Sequence, residues 1–204
     1  MIKVGICGGI GGGKSTVCAL LAEKGVPVYD SDSRAKALMN SSPEIIDAVR
    51  SAFGDEAYCD GALDRAYLAA KVFGDKANLA RLDAIVHPAV RRDFGKWASE
   101  QQADYVVLES AILFESGFDS AVDASVAVLA PLPLRLERAM QRDGAVRERI
   151  LERMAAQMSD DELAGKADLS IVNIDREDLE HDVAELDRRL RSMARRKEGG
   201  NGDR

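Results

Sequence analysis

Gly8-Gly9-Ile10-Gly11-Gly12-Gly13-Lys14-Ser15-Thr16 fits G-x-x-x-x-G-K-[ST], the pattern of a phosphate-binding loop. The residues on either side supply the context this pattern needs. Ile2 to Cys7 is an apolar run of strand length, and Thr16 to Lys24, with Val17, Ala19, Leu20, Leu21 and Ala22, predicts a helix closed by Gly25. Glycines let the backbone turn tightly and aim N–H groups at anion oxygens. The following helix adds its positive end. The expected contacts are Gly11, Gly12 and Gly13 on phosphate oxygens, Lys14 on β- and γ-phosphates, Ser15 on Mg2+ and Thr16 on the α-phosphate. A glycine-rich turn that binds nothing is the bland alternative, and Lys-Ser directly after a strand and glycine run argues against it.

Beyond Gly25, Val26 to Tyr29 reads as a second strand, with Asp30-Ser31-Asp32 at its carboxyl end. Open α/β sheets bind ligands there. One of the two carboxylates is expected to cap the helix Ser33 to Asn40, and the other to orient or deprotonate an acceptor hydroxyl. Helical patterns fill the middle of the chain. Pro43 to Phe53 carries Ile45, Ile46, Val49 and Phe53 on one face, Asp60-Gly61 marks a turn, Ala66 to Val72 is a short helix, and Ala77 to Gln101 is a long one. Pro88 predicts a kink or break at His87-Pro88. By fold analogy such an insertion holds the acceptor, which makes Arg65 and His87 candidate contacts; a surface arginine and a satisfied histidine are the plainer readings.

Asp104 to Leu108 and Val122 to Leu129 read as the third and fourth strands, the third followed by Glu109, a weak candidate for assisting the metal. Leu134 to Arg142 and Val146 to Met158 are helical and rich in arginine. Most of these cations are expected to pair with neighbouring glutamates as a solvated face. Arg138 and Arg142, one turn apart, are the pair expected to neutralise charge in phosphoryl transfer, on a lid that excludes water. Ala167 to Asn173 is the fifth strand, with Asn173 at its end as a candidate purine contact, and a helix from Arg176 to Ala194 buries Leu179, Val183, Leu186, Leu190 and Met193.

The expected architecture is an α/β P-loop NTPase-type fold, three-layered, with a five-stranded parallel sheet. It is one kinase domain with a core of about 1–31, 103–133 and 167–194, an acceptor-binding helical insertion of about 32–102, a lid of about 134–166 and a disordered tail of about 195–204. The composition, 46% hydrophobic and 31% charged, is that of a soluble globular chain with a core. A net charge of −7 argues against nonspecific binding to nucleic acid or to an anionic membrane surface. Cys7, Cys18 and Cys59 show no C-x-x-C spacing, so neither a disulfide framework nor a zinc knuckle is expected. The amino terminus lacks a signal-peptide pattern and no run approaches a membrane span, so the cytoplasm is expected, with the chain a monomer or a small homo-oligomer.

The ordered set GICGGIGGGKST (5–16), VPVYDSD (26–32), the LDR and VF of LDRAYLAAKVF (63–73), IVHP (85–88), ILFE (112–115), RLERAMQRD (135–143), AAQM (155–158) and ADLSIVN (167–173) resembles the dephospho-coenzyme A kinase family. The resemblance runs from about Ile2 to Asn173 and implies transfer of the ATP γ-phosphate to the ribose 3′-hydroxyl of dephospho-coenzyme A. It implies a catalytic carboxylate at Asp32, lid arginines at Arg138 and Arg142, a purine contact near Asn173, and Arg65, His87 and Glu115 on the acceptor side. The chain departs from the family at Cys7, usually Thr, at Gly12, usually Ser, and at Ala111, where the family often has proline. Backbone N–H groups carry most phosphate binding, so the first two changes leave it intact. A related kinase acting on a nucleoside or nucleotide would share every part but the acceptor pocket. A GTP-dependent switch would need D-x-x-G and N-K-x-D stretches, and the chain has neither.

Overall fold

The structure, a computed structural model, describes residues 1–199. In chain order the elements are β1 (Ile2–Cys7), α1 (Lys14–Glu23), β2 (Val28–Asp30), α2 (Ser31–Ser41), α3 (Pro43–Phe53), β3 (Tyr58–Cys59), β4 (Ala62–Leu63), α4 (Arg65–Val72), α5 (Lys76–Ser99), β5 (Tyr105–Glu109), β6 (Ala124–Leu129), α6 (Leu132–Asp143), α7 (Arg147–Ala155), α8 (Asp160–Lys166), β7 (Leu169–Val172) and α9 (Arg176–Gly199). The chain divides into two compact units: Met1–Tyr29 with the chain from Glu100 onward, and Asp30–Ser99.

The first unit is built on the expected five-stranded sheet, in the order β2-β5-β1-β6-β7. β1 pairs in parallel with β5 and with β6, and β6 pairs in parallel with β7. The central strands read as nearly unbroken apolar runs because both of their faces are covered, and Val4, Ile6, Val107, Val126 and Val128 are fully buried. α1 and α9 supply one cover: Val17 and Leu21 pack with Leu179, Val183, Leu186 and Leu190 in one cluster with the strands, and Met193 packs against it. His181 is exposed. β1 leads through α1 to β2 on one side of the sheet, and β6 leads through α6 to α8 to β7 on the other. The connections therefore diverge between β1 and β6, where α/β sheets of this kind bind ligands.

α9 extends further than its apolar stripe suggested. It continues through Gly199, and Lys197 Nζ is 2.6 Å from Asp123 Oδ1. The expectation of disorder is thereby corrected over residues 195–199, and residues 200–204 lie outside the described residues. The Tyr105 hydroxyl donates to Asp187 Oδ1 at 2.7 Å, which ties α9 to β5. Burial first, and then the bond to Asp187, push this phenol far above its ordinary range.

The second unit has its own core, in which Ile45, Val49 and Phe53 of α3 cluster with Ala57, Tyr58, Leu68 and Ala89. Asp60 and Gly61, with φ of 49° and 80°, form the tight turn of the β3–β4 hairpin. Of the kink or break expected at His87-Pro88, the break does not occur, and α5 runs as one helix from Lys76 to Ser99 with Pro88 inside it. The proline removes one helical hydrogen bond. The buried Val86, Ala89, Val90 and Phe94 hold the turns on both sides. Among the described residues no helix is long and apolar enough to cross a membrane.

Candidate active site

β1 ends at Cys7, and the glycine run turns the chain directly into α1. Gly12 N–H donates to Gly9 O at 3.0 Å, and Thr16 and Val17 N–H donate to Gly13 O at 3.0 and 3.1 Å. Gly13 caps α1 with φ at 95°, a left-handed conformation that suits glycine. α1 thus starts at Lys14, two residues before the expected Thr16, and no side-chain cap competes for the first-turn N–H groups. Lys14 Nζ donates to Gly8 O at 2.8 Å, folding the ammonium back across the loop. The Ser15 and Thr16 side chains are exposed at the start of the helix.

The loop is held from below by residues far away in sequence. Asn173 is buried, and its Nδ2 donates to Gly12 O at 2.9 Å. Arg135 is also buried; its Nε donates to Ile10 O at 3.0 Å and its guanidinium pairs with Asp160. Gln157 Oε1 accepts from Ile10 N–H at 2.9 Å. These neighbours come so close that a Cβ at Gly9 would lie 1.9 Å from Arg135 Nη2, and one at Gly13 would lie 1.9 Å from Asn173 Nδ2. The glycines make this packing possible. A cavity of about 700 Å³ opens on the brace side, with Arg135, Gln157, Asp160, Leu132 and Met158 in its wall.

Asp30 caps α2: its Oδ1 accepts from Asp32 N–H at 3.0 Å and from Ser33 N–H at 3.2 Å. The Asp32 carboxylate is exposed in the first turn. One of the two acids was expected to cap this helix, and Asp30 is the one that does. Arg65 is exposed at the start of α4. His87 Nε2 lies 3.5 Å from Asp83 Oδ1. Asp32, Arg65 and His87 belong to the second unit.

In the first unit, Arg138 donates to Asn173 O at 3.1 Å and to Ile174 O at 2.9 Å, so it lies against the segment that follows β7. Arg142 does not join it. Its Nε donates to Asp143 Oδ1 at 2.7 Å, and Arg153 Nη1 donates to Asp143 Oδ2 at 2.7 Å. Bonds from Arg142 first and Arg153 second hold the Asp143 carboxyl down at about 2. Glu115 accepts from Met158 N–H at 3.2 Å. Glu109 is the last residue of β5, in register with Ile6 of β1. The buried side of Asn173 faces the loop, so its side chain is first a brace; its carbonyl and Ile174 are the parts turned to Arg138.

Arg135, Gln157 and α8 are what the sequence reading missed. Arg135 sits between Leu132, Leu136 and Ala139 at helical spacing, a position on the buried face that was read as part of a solvated one. α8 carries the S-x-x-E signal, and Ser159 and Glu162 form the full capping box.

A parallel sheet of this order, with a glycine run and Lys-Ser opening the helix after its central strand, defines a P-loop kinase-type α/β protein. A solved shikimate kinase from Acinetobacter baumannii, 17% identical, shares the fold at a TM-score of 0.56 over 91% of this chain and 92% of that one. The family model described as Dephospho-CoA kinase matches residues 2–178. A curated dephospho-CoA kinase from Porphyromonas gingivalis is 45% identical over 174 residues, 85% of this chain and 86% of that protein. A crystal structure from Thermus thermophilus is 39% identical with a TM-score of 0.82, covering 93% of this chain and 97% of that one. The chain belongs to the dephospho-CoA kinase family.

Proposed function

We propose that this protein transfers the γ-phosphate of ATP to the ribose 3′-hydroxyl of dephospho-coenzyme A, giving coenzyme A and ADP in the last step of coenzyme A biosynthesis. The observation that carries this reading is the family match along residues 2–178, which begins on the strand that feeds the phosphate loop. Transfer needs the donor held rigidly and charge neutralised on the transferred group. Backbone N–H groups of Gly11, Gly12 and Gly13 and the positive end of α1 would hold the donor phosphates. Lys14 would leave Gly8 O for the β- and γ-oxygens. Asp32 would accept a hydrogen bond from the 3′-hydroxyl and orient it for in-line attack.

Arg138 and Arg142 would offset developing charge, with Arg142 first releasing Asp143. The purine would lie near Asn173 and Ile174, beside Arg138. Arg65, His87 and Glu115 would serve the acceptor, with 32–102 as the acceptor-binding insertion and 134–166 as the lid of a single kinase domain. Mg2+ fits the exposed Ser15 hydroxyl, because magnesium in kinases takes few protein ligands and completes its shell with phosphate and water. Glu109 would assist through water. When bound, the ion neutralises charge on the phosphate oxygens. Catalysis of this type is positioning and electrostatics, with turnover on the order of 1–100 per second. The reading includes a cytoplasmic monomer or small homo-oligomer that binds neither nucleic acid nor membrane.

A coupled ADP-release assay with Mg·ATP tests it, comparing dephospho-coenzyme A with adenosine, cytidine, uridine and their monophosphates. Turnover on dephospho-coenzyme A alone is expected. Turnover on a nucleoside or monophosphate instead would overturn the acceptor and keep the donor loop.

A further inference from the structure

Ile10 has the only side chain between Cys7 and Lys14, so it is the one point where side-chain packing can grip the phosphate loop. All three of its handles are taken by the segment from Arg135 to Gln157. Its N–H donates to Gln157 Oε1 at 2.9 Å, and its C=O accepts from Arg135 Nε at 3.0 Å. Its side chain packs on the small core of Leu136, Ala139, Ile150 and Met154 between α6 and α7. Both gripping side chains are themselves fixed. Arg135 is 5% exposed and paired with Asp160. Gln157 turns its Nε2 toward Ala111 O at 3.5 Å, and a flipped amide would set two donors against each other at Ile10.

We propose that Gln157 and Arg135 are positioning residues that keep the phosphate loop in its anion-binding shape, with the α6–α8 segment acting as the loop's outer support. A run of five glycines about one isoleucine has much backbone entropy to lose on ordering. If the ligand had to order it, affinity would fall by the fraction of time the loop is competent. Gripping Ile10 from both sides makes that ordering part of folding. The proposal rests on reading Gly8–Thr16 as the donor loop. It also limits what the lid does: its α6 and α7 roots stay with the loop, and any closing motion belongs to parts of the segment that do not touch Ile10.

The test is ADP binding by titration calorimetry in the presence of Mg2+, alongside thermal unfolding and steady-state kinetics, on the 204-residue chain. Gln157→Leu is expected to bind ADP about tenfold more weakly, about 1.4 kcal/mol. KM for ATP should rise by a similar factor, kcat should change less, and the unfolding midpoint should stay within a few degrees. Gln157→Glu, whose carboxylate can still accept from Ile10 N–H, should recover most of the affinity. Wild-type affinity in Gln157→Leu overturns the proposal, as does a Gln157→Glu as weak as Gln157→Leu. If Gln157→Leu does not fold, Arg135→Lys decides by the same readout: unchanged ADP affinity overturns the proposal and a loss supports it. Lys14→Ala separates the two layers. If it binds ADP as tightly as wild type, the donor-loop reading falls and takes this proposal with it.

Discussion

Asn173 Nδ2 donates to Gly12 O at 2.9 Å, joining the end of the last strand to the phosphate loop across 161 positions of chain. The bond is buried, with Asn173 4% exposed. Asn173→Ala leaves the Gly12 carbonyl without this partner, and a buried unsatisfied group costs about 1–3 kcal/mol. Urea denaturation should show that loss, and KM for ATP should rise several-fold with kcat less affected. Unchanged stability and KM would mean that the bond is not a brace.

Asp32 and Asp30 sit two residues apart in different roles. Asp30 is engaged as the cap of α2, and Asp32 is exposed beside it. Asp32→Asn should keep ADP binding and lose most transfer, by about 10²-fold or more, the range of a lost general base. Asp30→Asn should instead act mildly, since asparagine also caps helices. Turnover of Asp32→Asn within a few-fold of wild type would remove Asp32 from the mechanism.

Asp143 gives a pH dependence. Its folded-state carboxyl is held at about 2 against an ordinary value of 3.8. Between those values the unfolded chain binds more protons, so stability rises with pH there. The contribution is fully present above about pH 5 and lost as pH falls toward 2. Its arginine partners are more than half exposed, at 59% and 53%, so it should stay below about 1 kcal/mol. Denaturation of Asp143→Asn against wild type should differ near pH 6 and converge near pH 2. A constant difference at both pH values would refute the assignment.

The three cysteines should react in two classes. Cys7 and Cys18 are buried and Cys59 is exposed. Burial pushes the Cys7 thiol up to about 12, the nearby Lys14 offsetting only part of this, and the thiolate is the reactive form. Titration of the native protein with a thiol reagent should show one fast group, abolished in Cys59→Ser. A fast Cys7 would mean that the end of β1 opens readily.

Much of this fold can be read along the chain because its signals are local. The apolar run of β1, the glycine run and the apolar spacing of α1 and α9 each lie within a few turns or one strand, and the five strands and their intervening helices follow from the same periodicities. The misses have local causes too. The strands of the β3–β4 hairpin are two residues each, too short for any period. Pro88 carries a breaking signal that the packing around it outweighs. The chain after Ala194 was expected to be disordered, whereas the helix continues through Gly199 and Lys197 pairs with Asp123. In the candidate site, Lys14, Ser15 and a cap at one of Asp30 and Asp32 follow from local pattern. The helical spacing of Arg138 and Arg142 was legible, but not that one turns to the Asn173 and Ile174 carbonyls and the other to Asp143.

Residue types and their near neighbours were therefore enough for the phosphate loop, the helices and strands around it, and the family to which they belong. A backbone without side chains, a lysine and a hydroxyl at a helix start need only each other. The support beneath the loop came from the folded chain. Arg135 and Gln157 meet Ile10 across 125 and 147 positions. Contacts of that separation leave no periodicity in sequence, and a buried arginine looks like any other arginine until the fold shows which groups it has been brought to satisfy.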